Sequence, residues 1–321
     1  MPYEVEIQGN PLSAALPPLA ICQCQHAPGC AWGTGPSENT RTLTAYAEAV
    51  ERDVMYSLRE DLVAPYSPHI SFISPTRFGH PEPSHDAVEW VYFVDDNNDS
   101  VLIHRPTRLS TRPAMYRHTS NGIAVHVTRA QAYDAAVMEV FERHWLVDFW
   151  EQRVNPVAVA EPESDAVRNV KSAGWNPIFL VLARCPFVAM CILQADETIP
   201  PPRSGGVCVG AKAHHELQSA CLGAFFEALQ LAEGVSSSVS LETLTTSAKY
   251  FFNGNGRRQL LARVAAADGL MDTLPSNGSI TDARIYRREI ELDDFFYCEV
   301  QISGLNSYPP GRLSGGYFLP L

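Results

Sequence analysis

No stretch of this chain approaches the run of about 18 apolar residues that a membrane-spanning helix needs, so no membrane association is expected. The N-terminus, Met1-Pro2-Tyr3-Glu4-Val5-Glu6, lacks the basic segment and apolar run of a secretory signal. A cytoplasmic location follows as the expectation. Nor is there a lysine- and arginine-rich stripe to offset the net charge of -12; the longest basic run is Arg287-Arg288, with Arg284 nearby. Phosphate neutralisation along a nucleic acid needs such a stripe, so nucleic acid is excluded as a partner. Eight cysteines are too few for a disulfide scaffold in a chain of 321 residues. Cys22, Cys24 and Cys30, with His26 close by, lack the second paired-cysteine element that would complete a tetrahedral zinc set. Cys185, Cys191, Cys208, Cys221 and Cys298 lie in apolar runs and read as small buried hydrophobes.

What the chain does have is 45% hydrophobic and 10% aromatic residues, enough for a packed core. The first thirty residues are rich in proline and read as irregular or short strand. Helical patterns follow at about 40–59, 129–151, 214–232 and 257–267. A β-hairpin is expected from Val88 to Val94 and Ser100 to His104, around Asp95-Asp96-Asn97-Asn98-Asp99. Strands are expected at 177–182, 188–193 and 295–302. Helices interleaved with strand pairs indicate an α+β domain, long helices packed on antiparallel or mixed sheet.

Three of the helical segments carry polar pairs on an otherwise apolar background: Glu48-Ala49-Val50-Glu51-Arg52, Glu139-Val140-Phe141-Glu142-Arg143 and Glu227-Ala228-Leu229-Gln230. Residues three apart share a helix face. A single such segment reads as a solvent-facing stripe with internal ion pairs. Three of them on apolar helices need cations to meet them. Converging on one cavity, they would bind divalent cations, and those cations would bind a polyphosphate. Trp145, Phe149 and Trp150 read as core, His144 as a packing residue, and His214-His215-Glu216 as a solvated turn.

These elements resemble the YcaO superfamily, ATP-dependent enzymes that activate peptide backbone amides. The likeness rests on Gly33-Thr34-Gly35 followed thirteen residues on by Glu48-x-x-Glu51-Arg52, and on Ser120-Asn121-Gly122-Ile123-Ala124 followed by Glu139-x-x-Glu142-Arg143. The third element is Gly206 to Gly210 followed by Glu227-Ala228-Leu229-Gln230, and Ser303-Gly304-Leu305 echoes a closing Pro-Gly-Leu. The resemblance implies a YcaO-like domain at 31–306, preceded by an extension at 1–30 and followed by a tail at 307–321. It implies ATP and Mg²⁺ as cofactors, with Glu48, Glu51, Glu139, Glu142 and Glu227 as metal ligands. Arg52 and Arg143 would contact phosphate, with Ser120, Gln230 and Thr44 as further nucleotide-side residues. The terminal carboxylate of Leu321 would act as a base. The partners implied are a precursor peptide and a separate leader-peptide-binding or other maturation subunit, and a homodimer is compatible with the reading. The implied reaction phosphorylates an amide oxygen and yields a thiazoline or oxazoline, or a thioamide or amidine, in a ribosomally made peptide of the bacteriocin kind. The chain departs from the family pattern at Thr34, where lysine is usual, at Gln131, where a carboxylate is frequent, and at Ala232, where a basic residue is common. These departures carry the alternative, a catalytically degenerate scaffold or substrate-binding subunit.

Overall fold

Three antiparallel sheets are laid out along the chain, and each long helix starts where an edge strand ends. The computed structural model describes residues 3–67, 71–78, 88–104, 121–197, 206–237, 255–267, 269–276 and 283–305. The first sheet has the order β1 (Val5–Gln8), β2 (Leu19–Gln23), β3 (Cys30–Gly33). The second runs β4 (Leu62–Ala64), β5 (Val88–Asp95), β12 (Ile285–Glu291), β13 (Phe296–Ile302), β7 (Ile123–His126), with β6 (Ser100–His104) also paired to β5. The third runs β11 (Val207–His214), β10 (Phe187–Ala195), β9 (Trp175–Ala183), β8 (Val157–Val159). Three long helices are α1 (Glu38–Ser57), α2 (Arg129–Trp150) and α4 (Leu217–Ser237). Among the described residues, the shorter α3 (Asp165–Ser172) and α5 (Asn255–Ala265) complete the mixed α+β fold.

Helix α1 starts where the Ser37 hydroxyl accepts the Thr40 N–H at 3.1 Å, with Glu38 in its first turn. At the start of α2, Thr128 Oγ1 accepts the Gln131 N–H at 3.3 Å and donates to Gln131 Oε1 at 2.7 Å. Thr128 thus caps the helix and Gln131 accepts the hydroxyl of the capping residue, so Gln131 serves the helix terminus. Helix α2 is apolar on most of its circumference because it lies between two sheets. Ala132, Ala136 and Val140 pack on Cys298, Val300 and Ile302 of the second sheet, while Leu146, Phe149 and Trp150 pack on Leu180, Met190 and Val209 of the third. Trp145, Phe149 and Trp150 are core residues as expected, and His144 is buried against Trp145 with Asp148 at 3.9 Å.

The third sheet is covered on its other face by α4, whose Ala220, Ala224, Ala228 and Ala232 meet Phe179, Ala189, Cys191 and Cys208. Burial on both faces explains why β10 reads as one apolar run: Val188 to Leu193 are all fully buried. Small residues bring helix and strand close together. A Cβ on Gly210 would lie 2.2 Å from Ala228 N and 2.3 Å from Ala224 O, and one on Gly33 would lie 1.8 Å from Arg41 O. Helix α1 bridges the first and second sheets, with Ala45 and Ala49 on Ala20 and Ala31, and Tyr46 stacked on Phe295 at 5.0 Å.

The expected helices and the hairpin appear with ends displaced by a few residues, but α4 begins at Leu217 because Val207–His214 is strand. Pro200-Pro201-Pro202 and Gly205-Gly206 suggest a break before the third helix, and Gly206 to Gly210 a glycine-rich helix entry, whereas Gly206 borders β11 and Gly210 lies within it. Residues 5–8 and 19–23 of the proline-rich start supply two strands of the first sheet. Cys191, Cys208, Cys221 and Cys298 are buried, but Cys185 is exposed in the β9–β10 turn, so its reading as a core residue is corrected. Among the described residues no helix is long and apolar enough to cross a membrane.

Asp53 ties α1 to the first sheet. Its carboxylate accepts the Gln25, His26 and Ala27 N–H groups at 2.7, 2.8 and 2.6 Å, and the Tyr3 hydroxyl at 2.9 Å. Burial opposes its ionisation, but these four donors outweigh burial and hold the carboxyl below its ordinary range. A depressed acid stabilises the fold above the unfolded pKa of about 3.9, and that contribution is lost as pH falls through the folded value. Asp53→Ala strands three N–H groups and is expected to cost on the order of 3 kcal/mol at pH 7. Urea unfolding is the measurement, and the difference from wild type should shrink below about pH 4.

Candidate functional site

An open sheet edge presents backbone N–H groups that need acceptors. Strands β3, β7 and β11 each lie at the end of their sheet's pairing order, and each is met there by the helix that follows it. The Trp32 N–H bonds to the Glu48 carboxylate, the Ile123 N–H to Glu139 Oε2 at 3.2 Å, and the Ala211 N–H to Glu227 Oε2 at 3.2 Å. In all three units the glutamate lies sixteen residues after its donor. The residue one turn before it is a fully buried alanine: Ala45, Ala136 or Ala224. The residue three positions after it is polar: Glu51, Glu142 or Gln230. The three polar pairs that stand out in the sequence thus mark one strand–turn–helix unit used three times.

The units converge. Ala213 N–H of β11 donates to Glu142 Oε2 at 3.2 Å, so α2 and α4 both send a carboxylate to the same edge. Gln230 on α4 donates to Trp32 O at 3.1 Å and also bonds to Glu48, which joins the third unit to the first. Arg52 Nη1 donates to Cys30 O at 2.8 Å while Nη2 pairs with Glu48. Arg143 Nη2 lies 3.4 Å from Glu139 Oε1 and 3.8 Å from Glu142 Oε1. Lys212 of β11 stands 3.7 Å from Glu227 Oε1.

Five carboxylates therefore share three cations, and the excess negative charge shows in their protonation. Burial pushes Glu48 up against the pull of Arg52. Burial, then the fields of Glu139 and Glu48, push Glu51 well up. Glu139 is raised by burial although Arg143 and Lys212 oppose it. Glu142, 2% exposed, is pushed up to about 8 by burial and then by Glu227. Partial desolvation disfavours the charge on Arg143 and on the half-exposed Lys212, but the surrounding carboxylates outweigh it and hold both cationic.

All five expected glutamates, together with Arg52, Arg143 and Gln230, are brought together. Thr44 is not among their partners; it is exposed and its hydroxyl donates to Thr40 O at 2.9 Å. Ser120 and Leu321 lie outside the described residues. Ala232 is fully buried in the α4 core, so a cation placed there would enter apolar packing. Sequence reasoning missed Lys212, because β11 was missed; the run Val207-Cys208-Val209-Gly210-Ala211 was the available signal. His215 meets Asp134 at 3.5 Å on the surface. Cys30 Sγ accepts the Trp32 indole N–H at 3.1 Å. Among the described residues no three His, Cys, Asp or Glu side chains close into a metal cage.

A carboxyl group raised on folding binds protons in the native state that the unfolded chain releases. Without divalent cations, stability is therefore expected to fall as pH rises from the unfolded glutamate value of about 4.3 to about 8. Glu142→Gln should flatten that fall and gain on the order of 2 kcal/mol at pH 8. Added divalent cation should restore the wild type there by replacing the protons. Urea unfolding at pH 5 to 9 measures both, and a flat wild-type profile would contradict the arrangement.

The profile of the YcaO cyclodehydratase family, described as ATP- and Mg²⁺-binding, matches residues 32–273, from β3 past α5. That is the cofactor pair expected from the sequence. No curated protein matches the chain. Among solved structures, a heterocyclase in complex with substrate and cofactor is similar with a TM-score of 0.74 at 14% identity, over 94% of this chain and 49% of that one. The chain thus spans about half the length of that protein. YcaO from Methanopyrus kandleri, bound with AMPPCP and Mg²⁺, is similar with a TM-score of 0.67 at 16% identity, over 95% of this chain and 86% of that one. The E. coli microcin synthetase McbBCD complex with pro-MccB17 bound gives a TM-score of 0.65 at 11% identity, over 94% and 86%. At these identities the likeness is one of fold. The family match includes all three Glu-bearing helices, and on it the chain belongs to the YcaO cyclodehydratase family.

Proposed function

We propose that this chain uses ATP to activate peptide backbone amides during maturation of a ribosomally made peptide. The observation that carries the reading is the convergence of carboxylates from three helices on three sheet edges. The donor set fits the cofactors. Mg²⁺ binds through one or two carboxylates together with phosphate oxygens and water, not through an all-protein cage. Pairs of glutamates beside arginines suit that arrangement. Arg143 Nε is buried and has no hydrogen-bond partner among the described residues, a donor left over for an anion.

In this reading Glu48, Glu51, Glu139, Glu142 and Glu227 hold Mg²⁺. Arg52 and Arg143 contact phosphate oxygens, which a guanidinium matches bidentately. Gln230 and Ser120 serve the nucleotide side. ATP supplies a phosphoryl group that turns the amide oxygen into a leaving group. The chain's own part is to hold and orient the reacting groups and to neutralise charge. A cysteine, serine or threonine side chain of the peptide attacks the preceding carbonyl carbon, the resulting oxyanion takes the phosphoryl group, and loss of phosphate leaves a thiazoline or oxazoline; with a sulfide donor or an amine as the nucleophile, the same activation gives a thioamide or an amidine. The Leu321 carboxylate is the proposed base. Residues 31–306 form the nucleotide-handling unit, with 1–30 as an extension that supplies β1 and β2 of the first sheet and 307–321 as the tail. The reading includes a cytoplasmic location, a precursor peptide and a separate leader-binding or other maturation subunit.

A second reading is a scaffold that binds peptide without turning over ATP. Thr34 in the Gly-Thr-Gly turn, where a cation is usual, favours it. One experiment separates the two: incubation with Mg-ATP and the peptide encoded beside this chain, followed by mass spectrometry. The enzyme removes one water per ring and releases phosphate, whereas the scaffold binds the peptide and leaves its mass unchanged. Glu51→Gln and Glu142→Gln are each expected to weaken Mg-nucleotide binding by about tenfold or more while leaving the fold intact. Deleting residues 317–321 should abolish ring formation with little change in melting temperature.

A further inference from the structure

The third unit lacks the arginine of the first two. Arg52 and Arg143 lie four residues after Glu48 and Glu139, where they face the same side of the helix. Four residues after Glu227 stands Leu231, packed against the core. The cation comes instead from the strand. Lys212 follows Ala211, the N–H donor of the unit, and its Nζ stands 3.7 Å from Glu227 Oε1. Gly33 and Ala124 occupy the corresponding positions in the other two units, so neither strand supplies a cation there.

The side chain has a prepared seat. A Cβ on Gly223 of α4 would lie 2.5 Å from Lys212 Cγ, 2.9 Å from its Cβ and 3.3 Å from its Cδ. Glycine inside a helix is destabilising relative to alanine, and here it opens the path along which the lysine stem crosses the helix. The ammonium at the end of that path is not locked to its neighbour. Its separation from Glu227 exceeds the roughly 2.7–2.9 Å of a charge-assisted hydrogen bond. Its side chain is 46% exposed, against 19% for Arg143. Glu227 is already engaged through Oε2 with the Ala211 N–H, and it cannot serve a divalent cation and the ammonium equally. With a divalent cation on Glu227, the three N–H donors of Lys212 are left to another anion in the same space.

We propose that Lys212 is a phosphate-binding residue of this site, taking in the third unit the part that Arg52 and Arg143 take in the first two. The proposal rests on the nucleotide reading above and adds a residue that no glutamate or arginine pattern indicates. Calorimetric titration in Mg²⁺ tests it, with AMPPCP and AMP as probes and wild type, Lys212→Met, Lys212→Arg and Gly223→Ala as proteins. Lys212→Met is expected to weaken AMPPCP about tenfold and leave AMP unchanged, while Lys212→Arg stays within about threefold of wild type. Gly223→Ala removes no charge but displaces the lysine stem, so it should reproduce the loss; it also tests the idea should Lys212→Met fold poorly. Wild-type affinity for AMPPCP in both Lys212→Met and Gly223→Ala would overturn the proposal. So would an equal loss for AMPPCP and AMP, the mark of a structural role. If wild type itself binds neither probe, the nucleotide reading falls and this proposal falls with it.

Discussion

The carboxylate laid against an open β edge is the interaction on which the rest of this structure depends. Edge strands leave N–H groups that must be paired, and a buried carboxylate must find donors. In this fold each need answers the other three times, at Trp32, Ile123 and Ala211. The pairing fixes how far each helix slides along its strand and which way its polar pair points. Convergence of the three units follows from that geometry, with Ala45, Ala136 and Ala224 thin enough for each helix to sit close.

The same arrangement sets stability against function. Two further carboxylates, Glu51 and Glu142, lie in the field of the first three, and burial pushes both toward the protonated form. Arg52, Arg143 and Lys212 compensate in part. A site left short of positive charge is poised to take it from a ligand, because binding then relieves repulsion and replaces protons. Stability is regained elsewhere, in contacts such as the four donors on Asp53 and the two-faced burial of the third sheet.

Much of this was legible in the sequence because helical spacing is explicit. The Glu-x-x-Glu-Arg segments announce both a helix and its special face, and the hairpin around Asp95 to Asp99 carries its own turn chemistry. What was hidden depends on contacts between distant residues. Strand β11 reads as a break because Gly206 and Gly210 look like punctuation, although Gly210 is there to admit α4. Without that strand Lys212 had no place in the reading. Cys185 sits in an apolar text yet faces solvent, since a two-strand turn projects it outward. Gln131 looks like a lost ligand and is instead bonded to Thr128, the residue that caps α2.

The sixteen-residue interval between each edge N–H and its glutamate has a consequence for how such a chain can change. One residue inserted or removed between β11 and Glu227 turns the carboxylate by about 100° around α4, away from the edge and into apolar packing. Substitution within the interval is cheap by comparison, as three units with almost unrelated sequences show. Along these stretches of the chain, letters are thus free to vary while length is held, and a change of length is accommodated only outside the three intervals.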